Sequence, residues 1–262
     1  MFDLHQFASL TPDWYSRLSY FTDLDSTNDQ ARVLAEKGAC HGTLVLAEHQ
    51  RAGRGRRGAS WVSAPGDGLL FSLILRPTFS KSSWGRLALA SGLGMVTALR
   101  HDYAVSAHVK WPNDIYLDGR KCAGILTEAR EGYVILGIGL NVFSSPNSES
   151  SSMPAIALSD ATEFHLTREK LLATLLDAIL LECDNCAEGF PEQLERLREV
   201  CFLSGKDIEF AVNGMTMSGK VNGFDDHGAL VVEQAGELKA YPQAAEIRVT
   251  GSPGSSARIR GC

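Results

Sequence analysis

The sequence predicts an α+β protein, with a mixed β-sheet and flanking helices over most of the chain and a small β-domain at the C-terminal end. Three observations support this fold class. Apolar strand candidates alternate irregularly with helical segments up to about residue 202. Beyond that point, short segments of alternating polarity are separated by glycine turns and show no helical periodicity. Apolar residues make up 44% of the 262 residues, which is enough for a real core.

The first recognisable element is a helix over about residues 28–37. Thr27 stands three positions before Gln30, which is the pattern of a capping box. Gly38 supplies the stop signal that is common just beyond a helix. We therefore expect the Thr27 side chain to cap this helix.

Strands and one long helix are predicted next. The segments 43–50 and 68–77 are apolar strand candidates, the second ended by its proline. The segment 82–102 predicts a long, partly buried helix. Residues 108–130 predict two short strands around the Asp-Gly turn at 118–119, and 133–142 predict a strongly apolar third strand.

The remaining chain predicts a loop, two helices and the small β-domain. Residues 144–154 are polar, serine-rich and without a pattern, and we expect a mobile loop there. Helices are predicted near 170–183 and 193–200. The predicted division is a main domain over 1–202, a β-domain over 203–250 and a disordered tail over 251–262.

Charge and hydropathy exclude several classes of protein. The net charge is −6, which argues against general affinity for nucleic acid. The N-terminal residues lack the features of a signal peptide, and no apolar run approaches the roughly 20 residues of a membrane span. We expect a cytoplasmic protein that does not bind membranes.

The cysteines and histidines do not predict a metal site. Six scattered cysteines fit reduced thiols better than a disulfide framework. Cys183 and Cys186 form a CxxC, but they lie in a predicted amphipathic helix without a second ligand pair, so helix packing explains them better. We assign no metal ligand.

The stretch GRGRRG at residues 53–58 has the spacing of a dinucleotide fingerprint but fails the test of context. That fingerprint requires a helix at the third glycine and an acidic residue about 20 positions later. Here the chain continues with a proline, two glycines and a strand, and no carboxylate stands near residues 73–78. The glycines instead predict a loop that changes shape easily, and Arg54, Arg56 and Arg57 supply forked donors for a carboxylate or phosphate. A solvated surface loop is the alternative.

Two further motifs follow along the chain. KWPND at 110–114 places a lysine at a strand end, and GRKCAGIL at 119–126 and GIGLNV at 137–142 interrupt strands with glycines. Glycine inside a strand often marks a close approach by a ligand or another backbone. Taken alone, Lys110 could be a surface residue, but the neighbouring motifs favour a site.

Four motifs together resemble biotin protein ligases. STN at 26–28, HQRAGRGRRGASW at 49–61, KWPNDIYLDGRKCAGIL at 110–126 and GIGLNV at 137–142 occur in this order and at this spacing in that family. The resemblance implies a catalytic domain of the biotin/lipoate ligase type followed by an SH3-like β-barrel. It also implies ATP-dependent joining of biotin to AMP, with release of pyrophosphate, and transfer of biotin to a lysine of a biotin carboxyl carrier protein.

The resemblance also assigns roles to residues. It implies that Lys110 and Arg54 are catalytic, with Lys110 between the biotin carboxylate and the α-phosphate, because preorganised cations lower the repulsion between two anions. The residues that it implies for binding of biotin or its adenylate are Ser26, Thr27, Asn28, Gln50, Gly53, Arg54, Gly55, Arg56, Trp61, Lys110, Gly124, Ile125, Gly137, Ile138 and Gly139. Those that it implies for the nucleotide are Arg56, Lys110, Asn113 and Asn141.

ATP with Mg²⁺ is the implied cofactor, and biotin is the implied substrate. The chain has no GxxxxGK[ST], so we expect no P-loop. Ala59 stands where many family members have a basic residue, and the resemblance identifies no residue that stacks on the adenine. The sequence leaves a homodimer open.

Several other functions compete with this interpretation. Lipoate or octanoate transfer on the same fold is the nearest enzymatic alternative, although the GRGRRG loop is not expected there. A biotin sensor without catalysis and a nucleic-acid-binding module built on the arginine cluster are the alternatives from other classes. About 25 residues precede STN, too few for the winged helix of the DNA-binding family members, so we expect no DNA-binding role.

Overall fold

A computed structural model describes residues 1–146 and 154–250. The larger β-sheet has seven strands, and the chain enters it through two short helices, α1 (Leu4–Leu10) and α2 (Pro12–Tyr15), which the sequence analysis did not predict. The strands are β1 (Leu18–Phe21), β2 (Thr43–Ala47), β3 (Gly68–Leu75), β4 (Ala107–Lys110), β5 (Asp114–Leu117), β6 (Arg120–Arg130) and β7 (Tyr133–Asn141). Their order in the sheet is β1-β2-β3-β7-β6-β5-β4. Only β1 and β2 pair in parallel, so the predicted mixed sheet is confirmed.

Helices cover the sheet. They are α3 (Thr27–Glu36), α4 (Leu87–Tyr103), α5 (Arg168–Asp184) and α6 (Phe190–Val200). The four predicted helices are confirmed, although a 3₁₀ turn over Lys81–Arg86 precedes α4. Helices α4 and α5 pack together so closely that a Cβ at Gly94 would lie 2.5 Å from the carbonyl oxygen of Ala178. None of the helices in the described residues is long and apolar enough to span a bilayer.

The second sheet has five antiparallel strands, β8 (Asp207–Val212), β9 (Met215–Phe224), β10 (Leu230–Gln234), β11 (Glu237–Tyr241) and β12 (Ala245–Val249). Their order is β11-β10-β9-β8-β12. The predicted glycine turns are confirmed, with positive φ at Gly214, Gly228 and Gly236. The predicted domain boundary at 202/203 stays a prediction. Most of the loop predicted over 144–154 and the tail predicted over 251–262 lie outside the described residues.

One apolar core is shared by both sheets. Leu69 and Leu73 of β3, Leu93 of α4 and Leu172 of α5 are buried in the same cluster as Ile208 of β8. Cys183 and Cys186 are also buried there, as helix packing predicted, and burial raises the pKa of both thiols. A thiol with a raised pKa is a poor nucleophile.

A buried ion pair fixes the chain just before the GRGRRG loop. Glu48 follows β2, and its carboxylate accepts hydrogen bonds from Arg168 at 2.8 Å, from the Tyr20 hydroxyl at 2.8 Å and from the backbone N–H of Phe2. Burial by itself would raise the pKa of Glu48, but these hydrogen bonds outweigh it and hold the pKa below its usual value. Arg168 also lies 3.5 Å from the carbonyl oxygen of Gly68, where the chain re-enters the sheet.

The first prediction concerns this pair. Replacing Arg168 by Leu leaves the Glu48 carboxylate buried without its cation, and we expect the free energy of unfolding to fall by about 3–5 kcal/mol. Urea titration followed by circular dichroism measures the change. Arg130→Leu is the control, because Arg130 is exposed and donates to the carbonyl of the adjacent Ala129. Equal stability of the two variants would contradict the prediction.

Candidate active site

A cavity of about 580 Å³ opens between one face of the larger sheet, the GRGRRG loop and the segment 244–247 of the second sheet. Most of the residues predicted from the sequence line it, namely Ser26, Thr27, Asn28, Gln50, Arg54, Gly55, Arg56, Trp61, Lys110, Asn113, Gly124, Ile125, Gly137, Ile138 and Gly139. Gly53 and Asn141 do not belong to the lining. The cavity therefore gathers residues that are up to 113 positions apart, from Ser26 to Gly139.

The register of four antiparallel strands places three motifs side by side. Lys110 on β4 is paired with Asp114 on β5, Asp114 with Gly124 on β6, and Gly124 with Gly139 on β7. The turns between these strands are short, so KWPND, GRKCAGIL and GIGLNV form one row across the sheet.

The glycines of β6 and β7 make room for two side chains of the site. A Cβ at Gly137 would lie 2.1 Å from Oδ1 of Asn28, and one at Gly139 would lie 2.3 Å from Cε2 of Trp61. The corresponding Cβ at Gly124 would lie 3.0 Å from Cζ3 of the same indole. The sequence predicted a close approach by a ligand or a backbone, whereas the structure shows a close approach by Asn28 and Trp61.

Uncharged hydrogen-bonding groups form one end of the cavity. Gln50 Oε1 accepts from the backbone N–H of Thr27 at 2.7 Å and from the Thr27 hydroxyl at 3.0 Å. The hydroxyl of Ser72 lies 2.8 Å from that of Thr27 and 2.7 Å from Asn28 Oδ1. Asn28 Nδ2 donates to Glu128 at 2.7 Å. Sequence reasoning missed Ser72 and Glu128, because each lies within a strand and outside any motif.

The predicted capping box is wrong. Ser26, not Thr27, is the N-cap residue of α3, and its side chain makes no capping hydrogen bond. Thr27 is the first helical residue, and its hydroxyl faces Gln50 instead of the helix. Ser26 is buried at the cavity wall. The Thr27 hydroxyl therefore bonds within the cavity wall and does not cap the helix.

Arg54 is held by two carboxylates beside the cavity. Its guanidinium donates two hydrogen bonds to Asp29, at 2.6 and 2.9 Å, and lies 3.6 Å from Glu128. The hydrogen bonds with Arg54 lower the pKa of Asp29, and those with Asp29 raise the pKa of Arg54. The charge of Arg54 is thus balanced by the two carboxylates in this conformation. Direct contact with an anionic ligand would require Arg54 to leave them.

Arg56 carries its charge into the cavity. One of its nitrogens donates to Oδ1 of Asn113 at 3.0 Å, and Nδ2 of Asn113 donates to the carbonyl of Ile125 at 2.7 Å. Within residues 1–146 and 154–250, Arg56 forms no ion pair with a carboxylate. Burial, followed by the charge of Arg57, lowers the pKa of Arg56. A group so placed gains from an anionic ligand.

Lys110 lies at the end of β4 and is buried, with 8% of its surface exposed. Its ammonium group donates to the hydroxyl of Tyr116 at 2.9 Å and lies 4.7 Å from the centre of that ring. Burial lowers its pKa to about 8, and Lys121 adds to this effect, whereas Asp114 opposes it. Lys121 is itself paired with Asp114 at 2.7 Å. An anion beside Lys110 would restore the charged form of the lysine.

Trp61 packs on Gly139 of β7 and Gly124 of β6 and forms an apolar part of the cavity wall. Its indole N–H is buried, and no acceptor lies within hydrogen-bonding distance among the described residues. Buried donors are rarely left without a partner. The ring therefore presents a donor as well as an apolar face to a ligand in the cavity.

The second sheet closes the cavity, which sequence reasoning did not predict. Residues 244–247 line it, next to the arginine loop. The indole N–H of Trp111, in the KWPND motif, donates to the carbonyl of Gly228 at 3.0 Å. The ring of Phe202 lies 5.0 Å from that of Tyr116, the partner of Lys110. The environment of Lys110 thus depends on the chain after residue 200.

Two predicted residues support the site from outside. Asn141 is buried, and its amide donates to the carbonyl of Ile156 at 3.3 Å. Gly53 lies at the base of the loop, where its carbonyl accepts from the N–H of Trp61 and where a Cβ would lie 2.4 Å from the Trp61 carbonyl oxygen. A direct contact between either residue and a ligand stays a prediction.

The lining of the cavity suits a ligand with three chemically different parts. An uncharged polar head fits the end formed by Thr27 and Gln50, an apolar chain fits against Trp61, and an anionic group fits near Lys110 and Arg56. No group of three or more His, Cys, Asp and Glu side chains that could hold a metal ion occurs in the part of the chain that the structure describes.

Comparison with known proteins identifies the family. Residues 19–142 match the model of the biotin/lipoate A/B protein ligase family. The chain is 35% identical over 240 residues to the bifunctional ligase/repressor BirA of Bacillus subtilis, covering 88% of this chain and 74% of BirA. It is 32% identical over 235 residues to the biotin–[acetyl-CoA-carboxylase] ligase of Paracoccus denitrificans, covering 85% of this chain and 96% of that ligase.

Solved structures agree with the sequence relatives. The biotin protein ligase of Aquifex aeolicus in complex with biotin and ATP superposes with a TM-score of 0.80 at 27% identity, covering 89% of this chain and 99% of that one. The predicted fold class is confirmed by this similarity. With the motifs assembled around one cavity and these relatives over most of its length, the chain belongs to the biotin/lipoate A/B protein ligase family.

Proposed function

We propose that this protein is an ATP-dependent biotin–protein ligase, which activates biotin as biotinyl-5′-AMP and transfers it to a lysine of a carrier protein. The observation that carries the proposal is the polarity of a single cavity. Its neutral hydrogen-bonding end and its cationic centre at Lys110 and Arg56 match the two ends of biotin, a cyclic urea and a carboxylate. A ligase of this kind must also admit ATP, and Asn113 and Asp114 line the same cavity as Lys110 and Arg56.

The first step joins two anions. An oxygen of the biotin carboxylate attacks the α-phosphorus of ATP, and the bond to the bridging oxygen breaks as pyrophosphate leaves. Lys110 and Arg56 reduce the charge repulsion at this point, and because Lys110 is buried and Arg56 half-buried, their effect exceeds that of a surface cation. Asn113 orients Arg56 without neutralising it.

The second step consumes the activated acid. A lysine amine of the carrier attacks the acyl carbonyl of biotinyl-5′-AMP, AMP leaves, and an amide bond remains. The intermediate is a mixed anhydride, so exclusion of water by the arginine loop and Trp61 protects it. Ser26, Thr27, Asn28 and Gln50 would hold the urea at the far end throughout both steps.

Mg²⁺ would accompany the triphosphate. Asp114 lines the cavity next to Asn113 and offers one carboxylate, while Mg²⁺ usually takes one or two carboxylates together with phosphate oxygens. The residues present fit an ion that is held mainly by ATP. Bound Mg²⁺ would screen the charge of the phosphates.

The partner would be the biotin carboxyl carrier domain of a biotin-dependent carboxylase. A cytoplasmic location, the absence of a DNA-binding role and a homodimer stay predictions. The predicted direct role of Arg54 in catalysis also stays a prediction, because its guanidinium must leave Asp29 to meet a phosphate.

The test of the proposal is ATP–pyrophosphate exchange. We expect exchange that depends on added biotin and is absent with lipoate or octanoate, since neither acid carries a urea for Thr27 and Gln50. Transfer of biotin to a purified carrier domain completes the assay. Exchange that occurs with lipoate but not with biotin would contradict the proposal and indicate a lipoate ligase. Binding of biotin without exchange would indicate a biotin sensor.

A second measurement tests Lys110 by pH. Burial is the main reason why the pKa of Lys110 lies near 8 in the free protein, so the ammonium prevails below that pH and is lost above it. We expect kcat/KM for biotin to fall as pH rises through about 8. Lys110→Ala should lower the exchange rate by about 10²–10³.

Lys110→Arg is the matched variant, because a guanidinium keeps its charge over the whole range. Its exchange should be slower than that of the unaltered protein but should show no loss near pH 8. The same decline in both proteins would show that another group titrates.

A third measurement asks how Arg54 acts. Arg54→Ala should raise the amount of free biotinyl-5′-AMP in solution, measured by chromatography after filtration. If Arg54 acts by holding the loop to α3, Asp29→Ala should have the same effect and the double variant no larger one. Arg51→Ala is the control, since Arg51 pairs with Asp23 and Asp25 outside the cavity. Normal retention of the intermediate by Asp29→Ala would favour direct contact between Arg54 and the phosphate.

A further inference from the structure

We propose that Glu128 is a positioning residue that fixes the donor and acceptor pattern of the cavity's polar end and thereby selects a ligand with a cyclic urea. The proposal rests on the proposed function. Glu128 does not line the cavity; it lies on β6 behind Asn28, with 28% of its side chain exposed.

The orientation of the Asn28 amide follows from Glu128. A carboxylate only accepts hydrogen bonds, so the group that faces it at 2.7 Å must be Nδ2 of Asn28. The other end of the amide, Oδ1, then faces the hydroxyl of Ser72 at 2.7 Å. Arg54 lies 3.6 Å from the same carboxylate oxygen and balances its charge.

The proton of Ser72 is fixed next. Ser72 has one proton and two neighbours, the Asn28 oxygen and the Thr27 hydroxyl at 2.8 Å. Because the Asn28 oxygen can only accept, that proton is directed to Asn28. Ser72 is fully buried, so water does not compete for it.

The pattern seen by a ligand follows from these two constraints. Since Ser72 gives its proton to Asn28, the Thr27 hydroxyl donates to Ser72 or to Gln50 Oε1, and both of its lone pairs stay available to accept from a ligand. Gln50 Oε1 is occupied by the Thr27 backbone N–H, which turns Nε2 away as a donor. One acceptor beside one donor complements the N–H and C=O groups of a cyclic urea.

Loss of the acceptor at position 128 would remove the constraint. Asn28 could then turn its Nδ2 to Ser72, and the Ser72 proton would move to Thr27. Ser72 would then occupy one of the two lone pairs of the Thr27 hydroxyl, and a bound urea N–H that uses this lone pair would lose its partner. An unpaired buried donor weakens binding much more than it slows the chemistry at the far end.

The experiment compares Glu128→Met with Glu128→Gln in biotin-dependent ATP–pyrophosphate exchange. We expect Glu128→Met to raise KM for biotin by about tenfold or more, with kcat at saturating biotin and KM for ATP nearly unchanged. Glu128→Gln keeps an oxygen for Asn28 and should stay within about threefold of the unaltered protein. Glu131→Met, at an exposed site in the turn after β6, controls for the loss of a surface charge, and circular dichroism checks folding.

A double substitution that swaps the acidic and amide side chains at positions 28 and 128 provides the second test. Asn28→Asp alone places a carboxylate against Glu128 and should raise KM for biotin strongly. The double variant Asn28→Asp with Glu128→Gln restores one donor and one acceptor in the reverse order, still accepts the Ser72 proton, and should recover most of the affinity. This recovery does not require Glu128→Met to fold.

Several outcomes overturn the inference. An unchanged KM in Glu128→Met, an equal rise in the Gln and Met variants, a loss of kcat without a change in KM, or no recovery in the double variant would each do so. Absence of biotin-dependent exchange in the unaltered protein would instead overturn the proposed function, so the two failures are distinguishable.

Discussion

The site depends on keeping a lysine both buried and positively charged. Taking the Lys110 ammonium out of water disfavours its charged form, and the rest of the site compensates for this cost only in part. The register of β4 and β5 sets Asp114 opposite Lys110, but Asp114 is shared with Lys121. Burial therefore keeps the pKa of Lys110 lowered to about 8, and an anionic ligand beside it would favour the charged form.

The polar end of the cavity differs from the surroundings of Lys110, because its groups are uncharged and hydrogen-bonded. Thr27, Gln50, Ser72 and Asn28 bring no net charge, and each finds its partner among the others or in Glu128. A ligand at this end is recognised by the direction of hydrogen bonds, whereas a ligand near Lys110 and Arg56 is recognised by its charge. Two arginines of GRGRRG differ in their partners. Arg54 is neutralised by carboxylates, whereas Arg56 is oriented by the amide of Asn113.

Sequence patterns predicted most of this fold and the composition of the site, for physical reasons that particular residues illustrate. Period-3.6 and period-2 patterns located the main helices and strands, since each buries one face. The glycines at 124, 137 and 139 correctly indicated close approaches. The capping box failed because Thr27 meets Gln50, 23 positions away, and a local pattern cannot register such a contact. Ser72, Glu128 and the segment 244–247 carry no motif, and they join the site only through strand register and the packing of two sheets.

The hydrogen bond between the Trp111 indole and the Gly228 carbonyl has a consequence for assembly of the molecule. It spans 117 positions and ties the motif that carries Lys110 to a turn of the last sheet. During synthesis, the growing polypeptide can build the larger sheet long before that turn emerges from the ribosome, yet the wall at 244–247 is then still missing. Nascent chains should thus acquire the complete cavity only after residues 244–247 have been synthesised and have packed against the larger sheet.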